Sequence, residues 1–523
     1  FFFKQKTAYE IPKRDWSSDV CSSDLVRQGS FIGAGVNTVT RSGTNGLSGS
    51  FYHRWRSQDW VGTEAAGLAV NPGTFTFRNT GGWASGPIIK NKWFVFGNYE
   101  NELDKRPLFT FRANQGGETV AGNVTRVLAS DMTTLSNFLK SSFKYDTGPF
   151  DGLDDETPAK RFLLRSDYNI NNSNKVSFRY NHLNSFTDVG ISSSTSALRG
   201  RSAGTTSFLT FRNSNYQILE NIRSGIGEWN TVLGSTMANS FQSGYTYQDE
   251  SRASRGDLFP FVDVFEGGTS YTSFGFEPFT LNNELRYKTF QLQDNFTKFS
   301  ARQTLTFGAY TEKYHSDNVF FGCCPQSAYA YNSLADFYTD ANGFLANPGR
   351  TVSPVTLSRF QVRWSNIPNL KKPLQPLDVW YSAGYAQDEW RPRKNLTVTA
   401  GVRFDMSSFK NTAYANPAAD ALTFRDETGA AVKYKTGAMP DRKLLWSPRI
   451  GFNWDPAANG MTQVRGGTGV FSGRPAYVWI SNQIGNTGVL IGERIVDNTN
   501  AFPFNPDRKS TRLNSSHVSE SRM

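Results

Sequence analysis

The sequence predicts an all-β fold, an incomplete transmembrane antiparallel β-barrel with roughly 13 strands of a larger barrel. Two observations predict it. Segments of about ten residues alternate between apolar and polar side chains, the period of a strand with one face in lipid and the other in water. The connections between these segments alternate between short and long, as they do in barrels with turns on one side of the membrane and loops on the other.

The clearest alternation lies in a hairpin at 381–405, YSAGYAQDEWRPRKNLTVTAGVRFD. The apolar side chains of its second half share one face: Leu396, Val398, Ala400, Val402 and Phe404. The residues between them form the other face: Thr397, Thr399, Gly401, Arg403 and Asp405. We expect the first set to face lipid and the second a wet lumen. Aromatic residues near the hairpin ends are predicted to form interfacial girdles: Trp380, Tyr381, Tyr385, Trp390 and Phe404.

The same alternation recurs in pairs of predicted strands. In the strand predicted at 161–170, the apolar face and the opposite polar face are, respectively, Phe162, Leu164, Tyr168 and Ile170, and Arg165, Asp167 and Asn169. Short turns join 75–86 to 92–101, 161–170 to 175–182, 216–229 to 235–248, 284–299 to 302–314, and 444–455 to 462–471. Long connections separate the pairs, at 102–160, 184–215, 249–283, 315–377 and 406–443. Lipid forbids unpaired backbone, so connections of this length must leave the hydrocarbon. An incomplete barrel is expected to be an open or distorted sheet with two unpaired edge strands.

Both ends of the chain are predicted to be foreign to this fold. Residues 15–25 read DWSSDVCSSDL and residues 507–516 read DRKSTRLNSS, and opposite strands of one DNA segment can encode both. That DNA resembles a sequencing-library adapter, as does the source of the initial FFFKQKTAYEI. We therefore expect 1–25 and 507–523 to be adapter-derived artefacts. The native start, with any signal peptide, and the native end would then be missing.

Composition narrows the class of protein. The mean hydropathy of −0.49 and the lack of a long apolar run exclude a transmembrane helix. Aromatic residues at 14% and 46 glycines suit girdles and tight turns, and they do not suit disorder. The net charge of +11 is dispersed along the predicted strands. That dispersal favours a solvated lumen and loops over a nucleic-acid-binding surface.

Residues 33–45 read GAGVNTVTRSGTN and lead into a strand-like GLSGSFYHRWR. The G-x-G lacks the third glycine of a dinucleotide-binding motif. The run resembles the end of the plug domain in TonB-dependent outer-membrane receptors, G-G-V-I-N-I-V-T-K-S-G-T-N, from which Ala34 and Thr38 depart. The resemblance implies that 26–45 is the C-terminal end of a plug and that 46–506 is a partial barrel. The implied plug–barrel junction, where glycine permits tight turns and close approach, comprises Gly33, Gly35, Asn37, Gly43 and Asn45.

Three further stretches resemble the Oar-like branch of these receptors: DETPAKRFLLRSDYNINNSNKVSFRYN, YAQDEWRPRKNLTVTAGVRFD and SPRIGFNWDP. The resemblance covers nearly all of 26–506. It implies a ligand-gated importer in the outer membrane of a Gram-negative bacterium, surrounded by outer-membrane lipid and lipopolysaccharide. An unknown extracellular ligand would bind the loops and plug. The TonB–ExbB–ExbD complex would engage the missing N-terminal region, and proton-motive force would remodel the plug.

Two other classes of function stay open. One is an Oar-like surface-assembly or protein-secretion-associated barrel without a small ligand. The other is an outer-membrane enzyme or a soluble all-β carbohydrate-binding domain. The sequence has no GxSxG, HExxH or P-loop motif, which argues against an enzyme and predicts no cofactor. Without a complete plug or a TonB-engaging segment, this fragment by itself is expected to be inactive.

The remaining candidates are weaker. His53, His182 and His315 follow no metal-ligand spacing, so they are predicted to be solvated or girdle side chains. Four carboxylates in a long loop form either an exposed acidic surface or a calcium site: Asp151, Asp154, Asp155 and Glu156. Four loop phenylalanines either contact a ligand or pack the loop onto its neighbours: Phe259, Phe261, Phe274 and Phe276.

Cysteine is scarce. Cys21 lies in the predicted N-terminal artefact, and Cys323 and Cys324 are adjacent. The adjacent pair could form a vicinal disulfide, pair with cysteines elsewhere in the complete protein, or remain as two loop thiols. No spaced set of cysteine and histidine predicts a zinc site.

Overall fold

A computed structural model of the chain describes residues 26–27, 29, 39–69, 73–367 and 372–507. Cys21, residues 1–25 and residues 508–523 lie outside the described residues. Among the described residues, strands dominate, and they are, in chain order, β1 (Ser48–Ser57), β2 (Glu64–Ala65), β3 (Leu68–Ala69), β4 (Thr76–Ile89), β5 (Trp93–Pro107), β6 (Arg112–Asn114), β7 (Val124–Leu128), β8 (Asp154–Asn171), β9 (Asn174–Val189), β10 (Leu209–Thr210), β11 (Tyr216–Leu233), β12 (Met237–Asp249), β13 (Arg252–Ala253), β14 (Phe261–Glu266), β15 (Thr269–Phe274), β16 (Asn283–Phe299), β17 (Gln303–Phe320), β18 (Ala328–Tyr331), β19 (Leu357–Ser365), β20 (Gln375–Arg393), β21 (Leu396–Phe409), β22 (Phe424–Arg425), β23 (Ala431–Val432), β24 (Leu444–Trp454), β25 (Val464–Gly469) and β26 (Ile491–Thr499).

Helices are few and lie in the connections between long strands. The described helices are α1 (Ala129–Phe143), α2 (Leu334–Ala346), α3 (Pro417–Asp420) and α4 (Tyr477–Gly485), with short 3-10 turns at Gln58–Trp60 and Arg212–Ser214. No helix in the described part of the chain is both long enough and apolar enough to span a bilayer.

The long strands form one antiparallel sheet, which we call the wall. Its hydrogen-bonded order is β1-β4-β5-β8-β9-β11-β12-β16-β17-β20-β21-β24-β25, with β13 as a short addition beside β11. This order follows the chain, and each long strand pairs with the next, which confirms the predicted antiparallel barrel wall of roughly 13 strands. The sheet runs from β1 to β25 without pairing those two edges, so it is open, as expected for an incomplete barrel.

The two faces of the wall are inverted relative to a soluble sheet. On β21, Thr399, Arg403 and Asp405 are buried at 6%, 2% and 2% exposure on the inner face. The apolar side chains that alternate with them face outward, and Phe404 packs there against Trp446, which is 60% exposed. The predicted division of this strand is therefore confirmed. Its cause is that the outer face meets lipid while the inner face meets polar groups.

Aromatic side chains mark the two edges of the apolar outer band. On β20, Trp380 and Trp390 are both outward and half-exposed. About ten residues at roughly 3.3 Å each, tilted by about 40°, span about 25 Å of membrane, the height of such a band. The prediction that Tyr381 and Tyr385 also belong to a girdle is wrong. Both are 4% exposed on the inner face, because they have the opposite parity to the two tryptophans.

Several strands are longer than the alternation predicts. β8 begins at Asp154 rather than near 161, and β4 continues through 87–89, which the sequence assigns to a turn. Backbone pairing with β5 continues through both extensions. Strand pairing needs only a neighbouring backbone, whereas lipid imposes the alternation of apolar and polar side chains. Strands can therefore extend past the membrane without that alternation.

The long connections fold into a second body, which we call the cap. It consists of α1, α2 and a six-stranded sheet in the order β10-β15-β14-β18-β19-β26. Two of its pairings, β10 with β15 and β14 with β18, are parallel and join segments far apart in the chain. Its largest fully buried side chains are Tyr329, Tyr331, Phe211, Phe259, Phe261, Phe274, Phe337, Phe360, Phe504, Met132 and Leu135. Each such side chain stabilises the cap by about 1.5–3 kcal/mol through removal of apolar surface from water.

Candidate functional site on the inner face of the wall

Two Arg-x-Asp pairs stand on the inner face, one on β8 and one on β21. Residues two apart on a strand share a face, so Arg165 and Asp167 point inward together, as do Arg403 and Asp405. Arg165 donates two hydrogen bonds of 2.8 Å to the Asp167 carboxylate. Arg403 Nε donates to Asp405 Oδ1 at 2.8 Å. Asp167 is fully buried and the β21 pair is nearly so, and such charges persist only because they are paired.

The pair on β8 holds the stretch that precedes the first wall strand. Arg165 Nη1 donates to the carbonyl and to the hydroxyl oxygen of Thr40, both at 2.8 Å. The Ser42 hydroxyl donates to Asp167 Oδ2 at 2.6 Å. Each partner of this ion pair therefore also binds the chain at 40–42, which fixes that stretch to the inner wall.

The pair on β21 holds an earlier piece of the chain. Arg403 Nη1 donates to the carbonyl oxygens of Val26 and Arg27, at 3.2 and 3.4 Å. Val26 is fully buried, and its amide donates to Gln387 Oε1 at 2.9 Å. A Cβ on Gly29 would lie 2.2 Å from Arg403 Nε, so any larger residue there would displace the Arg403 guanidinium.

Two of the five predicted junction residues are described. A Cβ on Gly43 would lie 2.5 Å from the Val95 carbonyl oxygen and 2.7 Å from that of Gly86, so the backbone there lies directly on β4 and β5. Asn45 donates to the Asn91 side chain at 2.5 Å and accepts from the Asn91 amide at 2.7 Å. The other three, Gly33, Gly35 and Asn37, lie outside the described residues.

A polar cavity of about 1230 Å³ opens at the end of the wall that carries the short turns. Its lining includes Val26, Asn172, Asn230, Thr306 and Gln387. Most of the lining residues carry an amide or hydroxyl group, and the volume exceeds that of most small-molecule pockets. The inner face at this end is therefore wide, wet and able to accommodate further polypeptide.

A third inward pair lies nearer the long connections. Arg474 Nη1 donates to Glu312 Oε1 at 2.5 Å, and the Tyr310 hydroxyl donates to Glu312 Oε2 at 2.6 Å. Arg474 precedes α4, whose Tyr477 packs on Tyr314 with ring centroids 4.7 Å apart. The connection that follows β25 therefore folds back onto the inner face, where α4 covers part of the wall.

Sequence reasoning placed these arginines and aspartates on the polar face and gave them no role. The signal that could have found them is the repeat of Arg-x-Asp at the same parity in two distant strands, RSD at 165–167 and RFD at 403–405. The pairing of Arg474 with Glu312 has no such signal, because the two residues lie on separate segments that only the fold brings together.

The four carboxylates that were predicted to lie in one long loop occupy two different parts of the fold. Asp154, Asp155 and Glu156 start β8, so they do not form a loop, and Lys105 pairs with Asp154 at 2.7 Å and with Glu156 at 3.4 Å. Asp151 accepts from the Ala113 amide at 2.9 Å. The described residues contain no group of three or more His, Cys, Asp or Glu side chains that could hold a metal ion.

The histidines lie on three separate wall strands. His53 on β1 contacts the Thr80 hydroxyl at 2.8 Å, and His182 on β9 lies 3.3 Å from the Tyr180 hydroxyl. His315 on β17 contacts Asp378 at 2.8 Å.

The loop phenylalanines and the cysteine pair belong to the cap. Phe259, Phe261 and Phe274 are almost or fully buried, which favours packing over ligand contact for these three, while Phe276 is only half-buried. Cys323 and Cys324 are bonded to each other as a vicinal disulfide, and both are fully buried in a second apolar cluster of the cap.

Residues 39–111 and 109–518 match the family model described as an outer membrane beta barrel domain. The chain belongs to this outer membrane β-barrel family. Its place is therefore the outer membrane of a Gram-negative bacterium, where the outward apolar band meets lipid. No curated protein matches this sequence significantly.

Several solved outer-membrane proteins are similar to the chain. The outer membrane transporter YddB from Escherichia coli is 12% identical with a TM-score of 0.48, over 87% of this chain and 47% of that one. The siderophore receptor PirA from Acinetobacter baumannii is 12% identical with a TM-score of 0.41, over 83% and 44%. The ferric yersiniabactin uptake receptor FyuA from Yersinia pestis is 9% identical with a TM-score of 0.40, over 79% and 45%. The chain thus spans about half the length of these proteins.

Proposed function

We propose that this chain forms the wall, and the end of the plug, of an Oar-like TonB-dependent outer-membrane receptor that imports a ligand. One observation carries the proposal: two separate stretches before the first wall strand are bound to the inner face by its Arg-x-Asp pairs. A barrel that only anchors a surface structure has no need of polypeptide held inside it. The receptor-like run at 33–45 follows the first of these stretches in the sequence and contains the second.

The geometry suits a plug that is bound tightly to the wall and that requires an input of energy for its release. Hydrogen bonds to a charged group contribute about 1.5–3 kcal/mol each. Arg165 and Arg403 each make two such bonds to the stretches that they hold. Thermal motion alone does not break several such bonds together, which fits a plug remodelled by TonB, ExbB and ExbD with proton-motive force. The ligand would enter beside the cap and reach the polar cavity.

The test is ligand uptake by cells that express the full-length protein, with and without TonB. We expect uptake to require TonB, and equal uptake in both strains would count against energy coupling. The double variant Arg165→Gln, Arg403→Gln should loosen the plug and admit large antibiotics that the outer membrane normally excludes. Arg54→Gln is the matched control, since Arg54 is exposed and its guanidinium stacks on Tyr52.

The second candidate is a surface-assembly or protein-secretion barrel without a small ligand. The observation that favours it is the cap, which has its own apolar core and could present a rigid platform outside the cell. Its test is deletion of the gene followed by analysis of proteins displayed at the cell surface. Unchanged display would eliminate this candidate.

A further inference from the structure

A buried carboxylate on the inner face of the wall lies among tyrosine rings. Glu312 is 2% exposed and lies midway along β17. Tyr381 is its direct partner on β20, and Tyr310 precedes it by two residues on the same face. The Tyr310 hydroxyl donates to Glu312 Oε2 at 2.6 Å, and the rings of Tyr310 and Tyr381 meet edge to face with centroids 5.9 Å apart. We call these three residues the acidic cage.

The acidic cage suits a cation. A buried carboxylate is costly unless a positive group pairs with it. A planar guanidinium is attracted both to carboxylates and to the faces of aromatic rings. Arg474 makes both contacts, because its Nη1 donates to Glu312 Oε1 at 2.5 Å and its Cζ lies 5.3 Å from the centre of the Tyr381 ring. Among the residues that the structure describes, Arg474 is the one cation within ion-pairing distance of Glu312.

A second contact lies three residues after Arg474. The Tyr477 ring packs on Tyr314 with centroids 4.7 Å apart and meets Phe409 edge to face at 6.1 Å. Tyr314 and Phe409 belong to an apolar cluster on the inner face, which we call the apolar subsite. The segment Arg-Pro-Ala-Tyr at 474–477 therefore occupies two adjoining positions on the wall, one acidic and one apolar, as a short peptide ligand would.

Arg474 can leave the acidic cage without the unpairing of a strand. It lies between β25 and α4, at 470–476, where the chain forms neither strand nor helix. Its side chain is 31% exposed, so solvent in the lumen reaches it. Separate contacts hold α4, because Asn318 Nδ2 donates to Ser481 Oγ and to Asn482 Oδ1, both at 2.7 Å. The helix therefore has an anchor that does not depend on the ion pair.

We propose that the acidic cage and the apolar subsite bind a ligand that carries a guanidinium group and a nearby aromatic ring, as in a short arginine-containing peptide, and that 474–477 occupies this site until the ligand displaces it. The inference rests on the proposed import function, of which it names the ligand class. The guanidinium of the ligand would replace that of Arg474, so Glu312 keeps a positive partner. A neutral or anionic group cannot make this exchange, because it would leave a buried carboxylate unpaired.

The test measures binding of the peptide acetyl-Arg-Pro-Ala-Tyr-amide to the purified full-length protein by isothermal titration calorimetry. Arg474→Gln vacates the acidic cage and should bind the peptide at least about tenfold more tightly than wild type, since a self-occupied site lowers apparent affinity. The double variant Arg474→Gln, Glu312→Gln should lose that binding. Arg442→Gln replaces an exposed arginine elsewhere and is the matched control, which should bind as wild type does.

The control ligand is the same peptide with glutamine in place of arginine. Tight binding of the arginine peptide alone to Arg474→Gln supports the proposal. No gain in affinity in this variant, or equal binding of both peptides, overturns it, because the ion pair would then be a structural contact only. The binding measurement does not involve TonB. A failure here therefore leaves the import proposal standing, and TonB-independent uptake would count against energy coupling alone.

A second measurement uses the wild-type protein, so that it is decisive even if Arg474→Gln does not fold. Excess arginine peptide should displace 474–477 and accelerate hydrogen exchange at 470–476, while exchange in β24 stays unchanged. The glutamine peptide should have no effect. Unchanged exchange with the arginine peptide, or equal acceleration by both peptides, overturns the assignment of the acidic cage to a guanidinium ligand.

Discussion

The wall and the cap obey opposite rules of burial within one chain. On the wall, Phe178 and Trp380 are about half-exposed, while Thr399 and Arg403 are buried. In the cap, Phe337 is fully buried, as in an ordinary soluble domain. Hydrogen-bonded strands build both regions, so the difference in burial comes from the solvent outside each of them. Lipid accepts apolar side chains but no unpaired backbone. Water hydrogen-bonds both backbone and side-chain polar groups, and it drives apolar surface into the core.

The largest expected effect comes from emptying the cap core. Phe337→Ala should destabilise the cap by about 3–5 kcal/mol. The ring packs against Phe274, Tyr331 and Phe504 with centroid distances of 4.8, 5.6 and 5.5 Å. Hydrogen exchange of cap peptides should accelerate while exchange in the wall strands stays unchanged.

Leu345→Ala on the same helix is the control, because Leu345 is 43% exposed. It should change cap exchange little. If Phe337→Ala accelerates exchange equally in the wall, the two regions unfold as one unit and the comparison between them fails.

A charge on the lipid face should produce the next largest effect. Val402→Arg places a cation on the outward side of β21, between Val398 and Phe404, and should cost about 2–4 kcal/mol near the bilayer midplane. Thr397→Arg on the inner face of the same strand should cost much less. Folding into lipid vesicles measured by heat-modifiable gel mobility checks both variants. Equal costs would mean that the two faces meet the same solvent.

The alternation that predicted the wall is local information, which is why it succeeded. The faces of β21 and of β8 were predicted from residues within each strand, because lipid imposes its pattern on every second residue. The cap could not be predicted this way. β14 reads FVDVFE and is buried on both faces, and β19 pairs with β26 through contacts such as Leu357 with Thr499. Such pairings depend on which distant connections meet.

For the same reason, the sequence predicts the facing of the inner-site arginines but not their binding partners. The sequence places Arg165 and Arg403 on the polar face, since parity alone decides that. Their roles depend on stretches that lie far away in the chain, at 40–42 and 26–27. At Gly43, two backbone carbonyl oxygens leave no room for a side chain, and the assignment of this glycine to a plug–barrel junction stays a prediction.

A smaller effect is expected at this junction. Gly43→Ala should cost about 1–3 kcal/mol, because the new methyl group meets the backbone of β4 and β5, which cannot easily shift. The stretch around Thr40 should then become accessible to protease. Gly46→Ala is the matched control, since only the Thr44 hydroxyl lies near its Cβ, at 4.0 Å. Equal protease sensitivity in the two variants would show that the approach at Gly43 is not needed to hold this stretch.

The smallest expected effect concerns a buried carboxyl in the cap. Glu277 is fully buried, and one of its oxygens accepts from the Phe279 amide at 2.8 Å and from the Thr280 hydroxyl at 2.7 Å. Burial raises its pKa above the ordinary value, and the hydrogen bonds from Thr280 and Phe279, together with the positive charge of Arg252, oppose that shift only in part. The folded cap therefore binds this proton more tightly than the unfolded chain. Its contribution to stability is complete below the unfolded pKa and is lost as pH rises through the folded one.

Glu277→Gln keeps the acceptor oxygen and removes the charge, so it should stabilise the cap by about 1 kcal/mol at pH 7. The advantage over wild type should shrink as pH falls toward 4, where the wild-type carboxyl is protonated. Glu118→Gln should behave oppositely, because the hydrogen bond from Arg112 lowers the pKa of Glu118 to about 2. That carboxylate stabilises the segment around β6 above the unfolded pKa of the group, and its contribution is lost as pH falls from there toward 2. Both variants are measured by thermal unfolding between pH 4 and pH 8, with hydrogen exchange of cap peptides as the readout. A pH-independent difference between Glu277→Gln and wild type would show that Glu277 does not titrate differently in the folded cap.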